Sequence, residues 1–272
     1  MNLKIYQVDA FATEAFHGNP AAIVPLDTWL PDETMQNIAL ENNLSETAFF
    51  VREGDKFHIR WFTPSVEVAL CGHATLASAH VIFNELKAAD TSITFASKSG
   101  DLSVGREGDR LVLDFPAIFV DAVESADAVV AALRVQPKAI YKAMDYMLVY
   151  DSEETIASLD PDFNALYSTD ARGVIATAPG NSVDFVSRFF APGSGIDEDP
   201  VTGSAHCALT PYWAKELGKN ELTARQISAR GGELFCELVG DRVKMGGYGT
   251  LYLKGEIILA EASKEAAAGS LK

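Results

Sequence analysis

The stretch Trp61–Phe83, WFTPSVEVALCGHATLASAHVIF, decides how the rest of the chain is read. It opens as a strand, passes through a loop ending at Cys71-Gly72-His73, and continues as a helix with apolar or small residues on nearly every face. A helix that is apolar all round is buried and not laid on a surface. Its first turn offers free backbone N–H groups and the positive end of the helix dipole, so it can hold an anion. The chain repeats this arrangement. Phe57-His58-Ile59-Arg60-Trp61-Phe62-Thr63-Pro64 and Phe185-Val186-Ser187-Arg188-Phe189-Phe190-Ala191-Pro192 share Phe, Arg, an aromatic pair and Pro in one register, 128 residues apart. Each leads through a short acidic loop to a small-residue helix start, Gly72-His73-Ala74-Thr75 in one and Thr202-Gly203-Ser204-Ala205 in the other. A repeat this long points to a duplicated domain and not to a solenoid. Chance similarity between two buried strands is the weaker alternative.

Composition sets outer bounds. With 272 residues, 48% hydrophobic and 22% charged, the chain has a globular composition and length enough for two domains. Its formal net charge of −16 repels nucleic acid and anionic membrane, so neither is an expected partner. The same field repels an anionic substrate at long range, so an anion site must rely on local N–H groups. Cys71, Cys207 and Cys236 are odd in number and lack CxxC spacing, which argues against a disulfide framework or a zinc knuckle. The start MNLKIYQVDAFA reads as a strand and not a signal peptide, and no apolar run approaches the ~20 residues of a membrane span. A cytoplasmic location is expected.

In chain order, strands are predicted over 4–11 and 21–26, a helix over 31–42, and strands over 47–51 and 57–62. The helix from Gly72 comes next, then strands near 91–97, 101–106 and 110–115. A boundary falls in 116–125. The second half reads as a helix over 125–133, strands near 138–143 and 146–150, a helical stretch, and strands at 173–178 and 184–190. It closes with the helix from Gly203 and strands near 226–230, 233–239, 242–246 and 250–260. The tail from Ala262 is expected to fray. Strands mostly follow strands, so parallel winding is disfavoured and each half reads as a curved sheet wrapped around one buried helix. The expected domains are 1–117 and 118–272, with the last strand free to return to the first.

Among residues that could carry chemistry, Glu46 stands at the mouth of an apolar strand and Asp199 just before the second helix start. The bland readings are a solvated or capping carboxylate for each. At the 128-residue offset Glu46 falls opposite Val174, so one half has a carboxylate where its twin has an aliphatic residue. His73, in the first helical turn, has its charged form disfavoured by the dipole and reads as a neutral donor or acceptor. Cys71 is either a thiolate stabilised by the same dipole or, more commonly, a buried small hydrophobe. His17, His58, His80 and His206 show no metal-ligand spacing, so no metal is expected. Gly231-Gly232 lacks a following Lys-Ser/Thr and GxGxxG is absent, so there is no phosphate loop.

At these residues the chain resembles the phenazine-biosynthesis PhzF-like isomerases, relatives of diaminopimelate epimerase and proline racemase. The motifs VDAFATEAFHGNPAAIV (8–24), NLSETAFF (43–50), IRWFTPSVEVALCGHATLASA (59–79) and DEDPVTGSAHCAL (197–209) carry the resemblance end to end. It implies an α+β, diaminopimelate-epimerase-like fold of two pseudo-symmetric domains. Each would be a barrel-like sheet around a central helix, with the active site between them and the two helix starts facing across the ligand. It implies Glu46 as acid/base, His73 and Asp199 as its catalytic partners, and Ser45, Gly72, Thr202, Gly203 and Ser204 as substrate-binding residues. It further implies no cofactor, no metal, a small carboxylate substrate and a homodimer. Diaminopimelate epimerases use two facing thiols; here Cys71 meets the first position, while the second is read on Asp199-Pro200. The expected activity is therefore a proton shift between carbons of a small amino or cyclic carboxylate. The competing readings are a racemase or epimerase using Cys71 with a carboxylate, and a non-catalytic small-molecule binding protein.

Overall fold

The computed structural model describes residues 1–259, so the tail from Ala262 lies outside the described residues. Its strands join into one mixed sheet of 18 strands. The helix predicted from Gly72 spans Gly72–His80 and continues as a wider turn over Val81–Glu85. Every residue from His73 to Ala79 is buried, as its apolar circumference requires. Hiding Leu76 alone is worth about 1.5–3 kcal/mol. The second helix, Gly203–Leu217, is buried along most of its length and contains Pro211. Pro211 has no N–H to give the Cys207 carbonyl, and the Ile118 N–H takes that acceptor at 2.9 Å.

The two halves repeat strand for strand. Strand Lys56–Phe62 runs antiparallel to Glu46–Glu53 and to Glu67–Val68, and parallel to Ser92–Ser97. Strand Phe185–Ala191 runs antiparallel to Val174–Pro179 and to Ile196–Asp199, and parallel to Glu221–Gln226. Outside these, Asn19–Leu26 pairs parallel with Glu46–Glu53, and Tyr146–Val149 pairs parallel with Val174–Pro179. A repeated ion pair marks the same positions. Arg60 grips Glu67 through two hydrogen bonds of 2.8 and 2.9 Å, and Arg188 grips Glu198 through two of 2.8 Å. The halves meet where Arg110–Pro116 pairs antiparallel with Arg242–Gly247, and the final strand Gly249–Ile258 returns to pair with Asn2–Ala10.

Three readings change. Parallel pairing, disfavoured from the order of strands, occurs in both halves, because helix Asp32–Asn42 and helices Glu153–Ser158 and Phe163–Tyr167 serve as crossovers. The strand placed at 226–230 is Glu221–Gln226; the alternation runs on past Gln226, but Gly231 at φ +66° turns the chain. Third, the hairpin Pro179–Phe185 is one residue longer than its twin Arg52–Phe57, so the strand register pairs Glu46 with Gly173 and not with Val174.

Candidate active site

The two buried helices meet at their starts. A Cβ built on Gly72 would lie 3.6 Å from the Gly203 Cα, so the first turns touch backbone to backbone. Neither first turn has a side-chain cap, which leaves its N–H groups facing the junction. Around this point the structure brings together Glu46, Cys71 and His73 from the first half and Asp199, Thr202 and Ser204 from the second. Ser204 is exposed in an otherwise buried first turn. Ser45, beside Glu46, is half-buried and sits at the edge of the cluster.

Glu46 begins its strand, and its Oε2 lies 3.1 Å from His73 Nε2. The approach lacks the angle of a hydrogen bond, and both atoms are buried without another partner, so each keeps unspent hydrogen-bonding capacity. On the other edge of the ring, Nδ1 lies 3.5 Å from Cys71 Sγ and 3.3 Å from Asn19 Nδ2. Asn19 has two N–H protons, and its shorter contacts use both, on Asp199 Oδ1 at 2.8 Å and Val201 O at 2.9 Å. That leaves the Cys71 sulfur as the partner of His73 Nδ1. Thr202 Oγ1 donates to Asp199 Oδ2 at 2.6 Å, so both Asp199 oxygens accept. Gln226, fully buried, accepts from Thr202 N at 2.9 Å and donates to Asp199 O at 2.7 Å and to Thr202 Oγ1 at 3.1 Å.

The electrostatics follow from burial and these neighbours. Burial raises the Asp199 pKa to about 6, against the hydrogen bonds and the nearby His73 that favour its charge. Burial and the Glu46 charge push the Cys71 thiol up, so the helix dipole does not by itself make it a thiolate. Burial disfavours the His73 imidazolium, but Cys71 and Glu46 beside it outweigh that, and its pKa lies well above the usual value. This reverses the expectation from the helix dipole. A carboxylate at van der Waals range counts for more than a dipole end. Glu46, Cys71 and His73 place a donor atom each within 4.8 Å of one another, a metal-like grouping that spacing alone did not show. The sulfur approaches Nδ1 and the carboxylate approaches Nε2, so the two flank different edges of the ring and do not converge on one nitrogen.

Asn19 and Gln226 were missed from sequence. Gly18-Asn19-Pro20 reads as an ordinary turn, and a Gln inside a strand pattern carries no signal of its own. The register also moves one assignment. Phe189 opposite Asp199 matches Trp61 opposite Val68, and counting from the paired glycines places Thr202, not Asp199-Pro200, opposite Cys71. The second thiol position is therefore a threonine.

Residues 8–255 match the phenazine biosynthesis-like protein family. An uncharacterized isomerase from Pseudomonas aeruginosa is 56% identical over 96% of this chain and 100% of its own length. A PhzF family crystal structure from Enterococcus faecalis is 50% identical, covers 95% of this chain and 100% of its own, and superposes with a TM-score of 0.93. A hydroxyproline epimerase from Agrobacterium vitis, 9% identical over 94% of this chain and 92% of its own, shares the fold with a TM-score of 0.60. The expected α+β, diaminopimelate-epimerase-like fold is therefore the fold found. By sequence over nearly its whole length and by fold, the chain belongs to the phenazine biosynthesis-like (PhzF) family, and it is an enzyme of the isomerase class.

Proposed function

We propose that the chain is a cofactor-independent isomerase that moves a proton between carbons of a small amino or cyclic carboxylate, with Glu46 as the acid/base. One observation carries the reading. Glu46 stands 3.1 Å from His73 Nε2 beside two uncapped helix starts, and its counterpart in the other half is Gly173. The first-turn N–H groups of Gly72 and Gly203, with Ser204, bind the substrate carboxylate. Glu46 takes a proton from one carbon and returns it to another on the same face. The His73 imidazolium balances the charge on Glu46, Asp199 polarises the far side of the substrate, and Ser45 and Thr202 line it. A proton exchanged on both faces would need a second base opposite Glu46, and the twin position has no side chain.

The cleft is taken to lie between residues 1–117, joined by the returning final strand, and the remainder of the chain. The enzyme is taken to act as a cytoplasmic homodimer without a nucleic-acid partner, on the family resemblance and the acidic charge. Light scattering at defined concentration checks the dimer. For the chemistry, a thermal-shift screen of small cyclic and amino carboxylates supplies ligands, and hits are incubated in deuterium oxide. A positioned acid/base contributes ~10²–10⁴ in rate. Glu46→Gln should therefore bind the hit and lose turnover by that factor. Wild-type turnover in that variant would remove Glu46 from the mechanism, and exchange abolished by Cys71→Ser but kept by Glu46→Gln would favour a racemase.

A further inference from the structure

The segment Gln226–Gly232 lies outside the acid–base cluster yet holds the loops of both halves that supply it. Toward the second half, the Gln226 amide is oriented by its Oε1, which accepts from Thr202 N. Its Nε2 must then donate, and it does so to the Asp199 carbonyl and to Thr202 Oγ1. Having accepted there, the Thr202 hydroxyl turns its own proton onto Asp199 Oδ2. The relay has one direction, so Asp199 is presented as an acceptor. Ser228 Oγ adds a bond to Pro200 O at 2.8 Å.

Toward the first half, Arg230 donates to Gly18 O at 2.8 Å, His17 O at 2.9 Å and the buried Asp9 carboxylate at 3.0 Å. The other Asp9 oxygen accepts from Phe16 N at 2.9 Å, and Gly18 N donates to Gly231 O at 2.7 Å. These bonds fix the loop ahead of Asn19, whose amide then spans to Asp199. A Cβ on Gly18 would clash with the Ala10 carbonyl oxygen, so only glycine fits at this point of the loop.

We propose that this segment is a brace across the two halves, with Gln226 and Arg230 as positioning residues that bring Asn19 and Thr202 onto the two oxygens of Asp199. The proposal rests on reading the cleft as an acid–base site, but its test needs no substrate. In ¹³C-labelled protein the Asp199 carboxyl carbon is followed from pH 4 to 9, alongside the His73 ring, the charged neighbour that shares its field with Glu46. The wild-type midpoint should lie near 6. Gln226→Met, and the double variant Asp9→Asn/Arg230→Met that leaves no unpaired charge, each loosen the hold of Thr202 or Asn19 on the Asp199 carboxylate and should raise its midpoint by about one pH unit. Arg230→Lys keeps the charge beside Asp9 but loses the fork onto two carbonyls, and should give an intermediate value. A residue that only stabilised the fold would lower the melting temperature and leave the midpoint in place. An unmoved midpoint in the folded double variant and in Arg230→Lys overturns the brace whether or not Gln226→Met folds. Turnover lost in Glu46→Gln would be unaffected by that result, so the two readings fail separately.

Discussion

Asp199→Asn tests the electrostatics of the cleft without knowledge of the substrate. Burial lifts the Asp199 pKa from 3.8 to about 6, so the folded protein holds this proton more tightly than the unfolded chain does. Folding is therefore favoured by this group below pH 3.8, and the advantage drains away as pH rises through about 6. A shift of roughly two units at 1.36 kcal/mol each is ~3 kcal/mol. Asparagine has no such proton, so the variant should gain most of this, ~2 kcal/mol, relative to wild type between pH 4 and 6.5, whatever constant offset its altered hydrogen bonds introduce. His73 contributes in the same direction but at higher pH, since its raised pKa loses stabilisation only above its usual value of 6.5. Urea unfolding of both proteins at half-unit steps from pH 4 to 6.5 isolates the Asp199 window. A difference that stays flat across that window would show that Asp199 is ionised in the fold throughout, and would refute the argument from burial.

Other consequences can be measured directly. Arg60 holds the Glu67 pKa down to about 2, so Glu67 contributes up to ~3 kcal/mol above pH 4.5 that is lost as pH falls toward 2; Glu67→Gln should flatten acid unfolding over that range. Gly173→Ala would put a Cβ 2.3 Å from Phe189 Cζ and 2.9 Å from Asp145 Oδ1, an overpacking that should cost ~1–3 kcal/mol in denaturant unfolding. Cys71 is buried with its thiol pKa pushed up, so native protein at pH 7.5 should alkylate with iodoacetamide at least about tenfold slower at Cys71 than urea-unfolded chain does, as peptide mapping would show.

The buried helices and the duplication were legible because both rest on dense local signals. Six consecutive apolar or small residues after His73 admit no surface position, and Arg60 and Arg188 recur with the same aromatic neighbours because each must reach a glutamate on the next strand. The parallel pairings were not legible, since a crossover is defined by what lies beside it and not by its own sequence. The extra residue between Pro179 and Phe185 was likewise invisible to a constant offset, yet it decides what stands opposite Glu46. Charge states followed the same rule. The dipole at His73 could be read from one helix, whereas Glu46 reaches it from a strand 27 positions away in sequence.

The corrected register gives the duplication its chemical sense. Two copies of one domain brought together at their helix starts would by themselves make a cleft with matching walls, suited to a reaction that treats both faces of a substrate alike. Here the backbone symmetry is kept and the side chains break it at four equivalent pairs: Glu46 against Gly173, Cys71 against Thr202, His73 against Ser204, and Val68 against Asp199. Gly173 is not a casual absence, because Phe189 and Asp145 occupy the space a side chain would need. The Asp145 carboxylate there is engaged by Arg172 through two hydrogen bonds. What remains on that side is Asp199, turned by Thr202 and Asn19 into an acceptor with its carboxyl oxygens already engaged. On the proposed reading, such a site would keep the helix starts of both copies for the anion and the proton on one of them, which fits a shift of hydrogen along one face better than inversion through two.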